Sequence, residues 1–532
     1  MDGISLTSLM ILLAIGVGTY MLFAIYSGLQ IDPREPPAAQ SKIPYFGHVI
    51  GIMRSKFNYY VNLSHKTLHP ILTIILPGTK MYVVNSLDLV QAIQKQPKTL
   101  AFPPIEAKFA NTICGVSPEA HKILLTNANG DEGDWGLSME SYAAMRAALA
   151  PGAGLDKMNR VMIQNIAGSL DGLIPAGSGS VNINLSHWLR DIITLATTNS
   201  VYGPQNPFKD REVQDSFWQF ESQMMSILVG ILPSIFASKG LAARARVSKA
   251  FEDYLKTGGY KEGSLLMKNR YETSVKNGVP IEDIARYEVG GAIAILVNTA
   301  PAAFWLVLFL YSDPELLEEI RKEIWAVVKT SDEESGEANE VYRLDITNLK
   351  TNCPLLLSSY QESLRHRSMG TSVREVVKDT VLDGKWLLKK DCMIQMPSRI
   401  IHMDPHIWGS DVEEFNPRRF MKDQKRVRST AFRAFGGGTT LCPGRHFATN
   451  EVLAVVSMFV MRFDIAPVVG KWSLPTTDKT NVAAVLMEPD DDIEVRVEAR
   501  KGFDGRWAFG LRDSEEIFAI VDEDLTDHDR QD

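Results

Sequence analysis

At 532 residues, 45% of them hydrophobic, the chain is long enough to bury a large core, either as two or three domains or as one large domain. Its formal net charge of −8 lacks the basic surface that phosphate backbones require, so no nucleic-acid partner is expected. The four cysteines, Cys114, Cys353, Cys392 and Cys442, are widely spaced with no CxxC pair, which argues against a disulfide framework or a cysteine zinc site.

The chain opens with Gly3 to Ile31, a run without a charged residue. At about 1.5 Å per residue in a helix, this run exceeds the hydrocarbon thickness of about 30 Å and is expected to span a bilayer. It lacks the basic start and A-x-A site of a cleaved signal. Only Asp2 precedes it, whereas Arg34, Lys42, Arg54 and Lys56 follow, which places the body on the cytosolic side. Residues 1–31 are therefore read as an anchor and 32–44, with Pro33, Pro36, Pro37 and Pro44, as a stiff linker.

Ile71 to Asn85 is β-branched and aromatic around Pro77-Gly78 and predicts a strand pair, with Ser86 as the N-cap of a following helix. Ser226 to Phe236 is apolar, broken by Pro233 and followed by Lys239, Arg244, Arg246 and Lys249. It fits either a buried helix with a basic end or a membrane-dipping entrance.

Val289 to Ser312 has 24 residues and no charge. Asn298 and Pro301 near its centre favour a buried functional helix over a second span. Pro301 has no amide to give the Val297 carbonyl, so the helix should open there. Glu362 and Arg365 form an i,i+3 pair, which alone carries little information, since such pairs stabilise a helix by roughly 0.2–0.5 kcal/mol. Lys422, Lys425, Arg426, Arg428 and Arg433 make a basic run that is either a solvated loop or a steering surface for an acidic partner. Beyond Trp472 the pattern is sheet-like, and Asp513 to Asp532 is an acidic tail.

Between these lies FRAFGGGTTLCPGRHFA, Phe432 to Ala448. The three glycines Gly436, Gly437 and Gly438 permit a tight turn close to a planar ligand. The helix expected from Phe447 to Met461 would aim its positive dipole end at the sulfur of Cys442. Phe435, Gly436, Gly438, Cys442 and Gly444 reproduce F-G-x-G-x-x-x-C-x-G, and on these residues the chain resembles the cytochromes P450, the haem-thiolate enzymes.

That resemblance covers roughly residues 33–510. It implies a mainly α fold with small β-sheets, occupying 45–512 behind the N-terminal transmembrane helix, and haem b ligated by Cys442. Phe435, Gly436, Gly444, Arg146 and Arg374 are implied as cofactor-binding residues, with Trp135 and His402 as further neighbours of the propionates. It also implies a buried network of Glu362, Arg365 and Arg419. Val289–Ser312 becomes the helix that crosses the oxygen-binding face, with Asn298 and Thr299 as candidate catalytic residues. Asn298 stands where most members carry a threonine, and Val297 replaces an acid. The run N-T-A-P-A-A-F-W is similar to that of the sterol 7α-hydroxylases and prostacyclin synthase. With no dinucleotide fingerprint of its own, the enzyme would take electrons from NADPH through a cytochrome P450 reductase, with cytochrome b5 a possible second donor. Monooxygenation of a lipophilic polycyclic substrate, a steroid or terpenoid of fungal secondary metabolism, is expected at the endoplasmic reticulum membrane. The alternative is a redox-neutral isomerase or dehydratase acting on a peroxide or hydroxylated lipid.

Overall fold

A computed structural model describes residues 14–22, 31–43, 45–67, 69–133, 135–230, 232–331, 341–422, 424, 427–480, 484–503, 505–513 and 520–521. Most of the Gly3–Ile31 run, Lys425, Arg426 and nearly all of the acidic tail lie outside the described residues. The chain divides into two compact units, Met1–Ile105 with Thr371–Ile401 and Glu106–Gly370 with His402–Asp532.

The first unit is built on a five-stranded sheet. Ile71–Leu76 and Thr79–Val84 pair antiparallel, as expected from their β-branched pattern, and Gly78 closes their turn at φ 75°, a conformation glycine adopts without strain. Met393–Pro397 adds in parallel to the second of these strands, and Thr371–Val376 and Leu100–Ala101 complete the sheet. The proline segment is fastened to this sheet: Thr73 donates from its amide to the Pro37 carbonyl at 2.9 Å and from Oγ1 to the Pro36 carbonyl at 2.7 Å. Buried Glu35 accepts from Lys80 at 2.7 Å and from the Tyr82 hydroxyl at 2.6 Å. Helix α1, Phe46–Ser55, leaves Phe46, Ile50 and Met53 exposed along one row. Ser86 takes the N-cap position of Leu87–Gln94, without a side-chain bond.

The second unit is mainly helical. Its helices include α2 (Leu137–Leu149), α3 (Ala153–Asp171), α4 (Leu185–Tyr202), α5 (Arg211–Ser222) and α6 (Ser238–Lys256). There follow α7 (Leu265–Lys276), α8 (Ile281–Leu296), α9 (Thr299–Ser312), α10 (Pro314–Trp325), α11 (Pro354–Arg367) and α12 (Arg445–Arg462). Small sheets flank them, one joining Phe463–Pro467, Glu494–Ala499 and Ser180–Asn184. Every residue of α9 from Thr299 to Tyr311 is buried, so the apolar composition that would suit a membrane serves a protein core instead. Asp313 caps α10 by accepting from Leu316 N at 3.1 Å.

The helix opens where the sequence predicts. α8 ends at Leu296 and α9 begins at Thr299, with Val297 and Asn298 in a turn and Pro301 in the first turn of α9.

Candidate active site

The cysteine loop owes its shape to two glycines. Gly436 at φ 80° and Gly438 at φ 62° adopt left-handed backbone, which brings the chain round so that the Cys442 amide donates to the Phe435 carbonyl at 3.0 Å. α12 begins at Arg445, three residues past the sulfur. Cys442 is half-buried, whereas Cys114, Cys353 and Cys392 are buried. Burial pushes its thiol up, while the amides of Gly444 and Arg445 and the charge of Arg445 pull it down. Burial pushes Cys114 and Cys353 up to about 12.

Two amides and a guanidinium around one sulfur are donors suited to a thiolate. The net upward shift shows that these donors do not ionise the sulfur unaided. A bound metal cation would supply the missing charge, and a half-buried sulfur with amides and a guanidinium beside it fits haem iron at this position.

Helix α2 braces the same loop. The Tyr142 hydroxyl donates to the Leu441 carbonyl at 2.5 Å, and Arg146 donates to the Thr439 carbonyl at 3.0 Å, its guanidinium lying 4.9 Å from the Tyr142 ring centroid. Trp135 lies before the start of α2 and is 53% exposed, so the aromatic residue paired with Arg146 is Tyr142. The missed signal is the Tyr142-x-x-x-Arg146 spacing, which places both on one helix face.

Behind the loop, Glu362 is fully buried and receives Arg365 in bidentate fashion at 2.7 and 2.8 Å, Arg419 at 3.0 Å and the Asn416 amide at 3.0 Å. Arg365 also donates to the His402 carbonyl at 2.7 Å. His402 Nε2 accepts the Arg433 amide at 2.8 Å, and the Gly436 amide returns to the Arg433 carbonyl at 3.0 Å. The network thus runs by hydrogen bonds from α11 to the cysteine loop, and the Nε2 atom of His402 is occupied in holding backbone. Arg374, on the strand Thr371–Val376 of the first unit, is buried, with its guanidinium 5.6 Å from the Phe102 ring centroid.

At the helix break, Asn298 Oδ1 accepts the amides of Val485 at 2.9 Å and Leu486 at 3.3 Å. The same segment receives the Trp305 indole on the Met487 carbonyl at 2.7 Å, and the Met369 and Gly370 amides on the Val485 carbonyl at 2.8 and 3.0 Å. With Oδ1 engaged in this way, and no protein partner for Nδ2 among the described residues, the remaining hydrogen-bonding capacity of Asn298 is donation. Thr299 is buried at the start of α9.

Residues 265–495 match the family model described as Cytochrome P450. The chain is 35% identical over 502 residues to cytochrome P450 monooxygenase nodJ of Hypoxylon pulicicidum, covering 92% of this chain and 95% of the relative. It is 25% identical over 454 residues to cytochrome P450 7B1 of Mus musculus, covering 81% and 85% of the two chains. Among solved structures, the retinoic acid bound cyanobacterial CYP120A1 shares the fold at TM-score 0.67 and 17% identity, covering 88% of this chain and 99% of that one. The likeness over nearly the full length of both chains, with the half-buried cysteine of the Gly-rich loop at its centre, makes this chain a member of the cytochrome P450 monooxygenase family.

Proposed function

We propose that the chain is a membrane-anchored haem-thiolate monooxygenase that hydroxylates or otherwise oxidises a lipophilic polycyclic substrate, a steroid or terpenoid. The observation that carries the reading is the placement of Cys442, half-buried in a loop turned by Gly436 and Gly438, with the amides of Gly444 and Arg445 beside its sulfur. In this reading Cys442 would hold the haem iron through its thiolate, and Phe435, Gly436, Gly444 and Arg146 of the same unit would form the cofactor's surroundings. When bound, haem supplies dioxygen activation.

The chain's own residues then have separable tasks. Gly444 and Arg445 amides would help to hold negative charge on a metal-bound sulfur; Tyr142 and Arg146 fix the loop that presents it. Asn298 offers Nδ2 as a donor over the helix break, a group that orients an oxygen acceptor or a water without itself ionising, with buried Thr299 beside it. Glu362, Arg365 and Arg419 keep the loop's foundation rigid.

The substrate class rests on the N-T-A-P-A-A-F-W run and on the similarity to cytochrome P450 7B1. Membrane attachment rests on the uncharged Gly3–Ile31 run, supported in the second unit by Leu232, Ile235 and Phe236, each 59–66% exposed. Residues 1–31 would anchor the chain in the endoplasmic reticulum membrane with residues 45–512 as a cytosolic catalytic domain. Electrons would come from NADPH through a cytochrome P450 reductase, with cytochrome b5 as an auxiliary donor.

The test is turnover of the purified haem-loaded enzyme on a panel of steroids, terpenoids and lipid peroxides, with and without oxygen, NADPH and reductase. A product that needs all three supports the reading. A product formed from a peroxide with none of them replaces it with an isomerase or dehydratase.

A further inference from the structure

Lys157 and Lys268 have no ion pair or side-chain hydrogen bond among the described residues of a chain whose net charge is −8. Both line one groove of about 730 Å³ in the second unit, bounded by α3, the end of α4 with the turn that follows it, and the start of α7. A third cation, Lys209, also lines the groove, and its Nζ donates to the Pro204 carbonyl at 2.6 Å. Glu262 is the one carboxylate of the lining, and its Oε2 accepts from Gln205 at 3.0 Å.

Besides Asn165, Asn199, Ser200 and Ser264, the groove has an apolar part of its lining. Val161 and Leu265 belong to it and remain 37% and 45% exposed. Gly154 lets α3 and α7 meet there, because a Cβ on it would stand 3.1 Å from Leu265 Cδ2. Its size falls within the range of about 300–1,000 Å³ typical of small-molecule sites.

Cations beside an apolar lining are complementary to a molecule with a negative head and a hydrocarbon body. We infer that this groove is a second ligand site, separate from the cysteine loop, that takes a single-chain amphipathic anion, a carboxylate or phosphate on an alkyl chain. Lys157, Lys209 and Lys268 hold the head, and Val161 and Leu265 receive the chain.

The experiment is calorimetric titration of the full-length haem-loaded enzyme with dodecyl phosphate below its micelle concentration, with excess imidazole present to occupy the haem iron. Wild type is expected to bind one equivalent, and Lys157→Glu/Lys268→Glu to bind at least tenfold more weakly while keeping the wild-type haem spectrum. Val161→Glu, which alters the apolar lining alone, is expected to weaken binding as well. Inorganic phosphate and anionic phospholipid vesicles distinguish a free anion or a membrane headgroup from the single-chain ligand. Equal affinity in wild type and the double variant, binding of inorganic phosphate as tight as that of dodecyl phosphate, or binding to vesicles alone would each overturn the assignment.

Discussion

Asn298 Oδ1 accepts the amide of Val485 at 2.9 Å, joining two residues 187 positions apart. The bond fixes which end of the carboxamide faces away from that segment. Asn298→Asp keeps an acceptor for Val485 and removes the Nδ2 donor, whereas Asn298→Ala removes both. The expected outcome is that both variants retain haem, that both change turnover or product distribution, and that only Asn298→Ala loses stability, by about 1–3 kcal/mol. Haem content, product analysis and denaturant melts on the three proteins check this.

Cys442→Ala removes the one half-buried cysteine, the other three being buried. The thiolate-type carbon monoxide spectrum is expected to vanish, because the buried thiols of Cys114 and Cys353, pushed up to about 12, offer no replacement thiolate. Persistence of the spectrum in this variant would remove Cys442 from the ligand position.

Tyr142→Phe deletes the hydroxyl that donates to the Leu441 carbonyl and leaves the ring beside Arg146. The global loss should be small, about 0.5–1.5 kcal/mol. The local effect should be larger: the thiolate-type carbonyl spectrum is expected to decay faster on warming than in wild type. Time-resolved spectra at fixed temperature provide the comparison.

Glu362→Gln leaves the guanidinium of Arg365, fully buried, without its opposite charge. Removing one partner of a buried pair costs roughly 3–5 kcal/mol. Loss of haem-loaded protein on expression is expected, while Glu319→Gln, which breaks the exposed pair with Arg418, should be near neutral.

Glu451, on α12, is buried and pushed up to about 8 by that burial, with Thr197 Oγ1 donating to Oε1 at 2.6 Å. Its folded-state value lies above the ordinary 4.5, so the native state holds a proton that the unfolded chain has released between those values. The resulting stabilisation is complete below pH 4.5 and is lost as pH rises to about 8. Glu451→Gln should flatten the fall in melting temperature across pH 6–8 without shifting the substrate-free haem spectrum.

Much of the site was legible because its residues are neighbours in sequence. The Gly436–Gly438 turn, Cys442 and the start of α12 lie within one loop, and the opening at Val297–Asn298 follows from Pro301 lacking an amide. What was hidden depends on distant segments. Residues Val485 to Met487 form no strand and carry no motif, yet they bond Asn298, Trp305, Met369 and Gly370 through backbone groups, which every residue type possesses. His402 was expected as a neighbour of the propionates, but a histidine ring serves a ligand or a backbone amide equally well, and its 2.8 Å contact with Arg433 N shows which partner Nε2 takes. The proline segment read as a linker because proline lacks a donor, but its carbonyls remain acceptors, and Thr73 uses two of them.

The fastening of Asn298 and Trp305 to Val485–Met487 also sets a timetable for biosynthesis. A nascent chain that has emerged only to residue 480 has already produced the buried Trp305 but not its acceptor at Met487, 182 positions later. These contacts of high sequence separation are therefore completed almost at the end of translation, and until then the Trp305 indole lacks the carbonyl that it bonds in the folded chain.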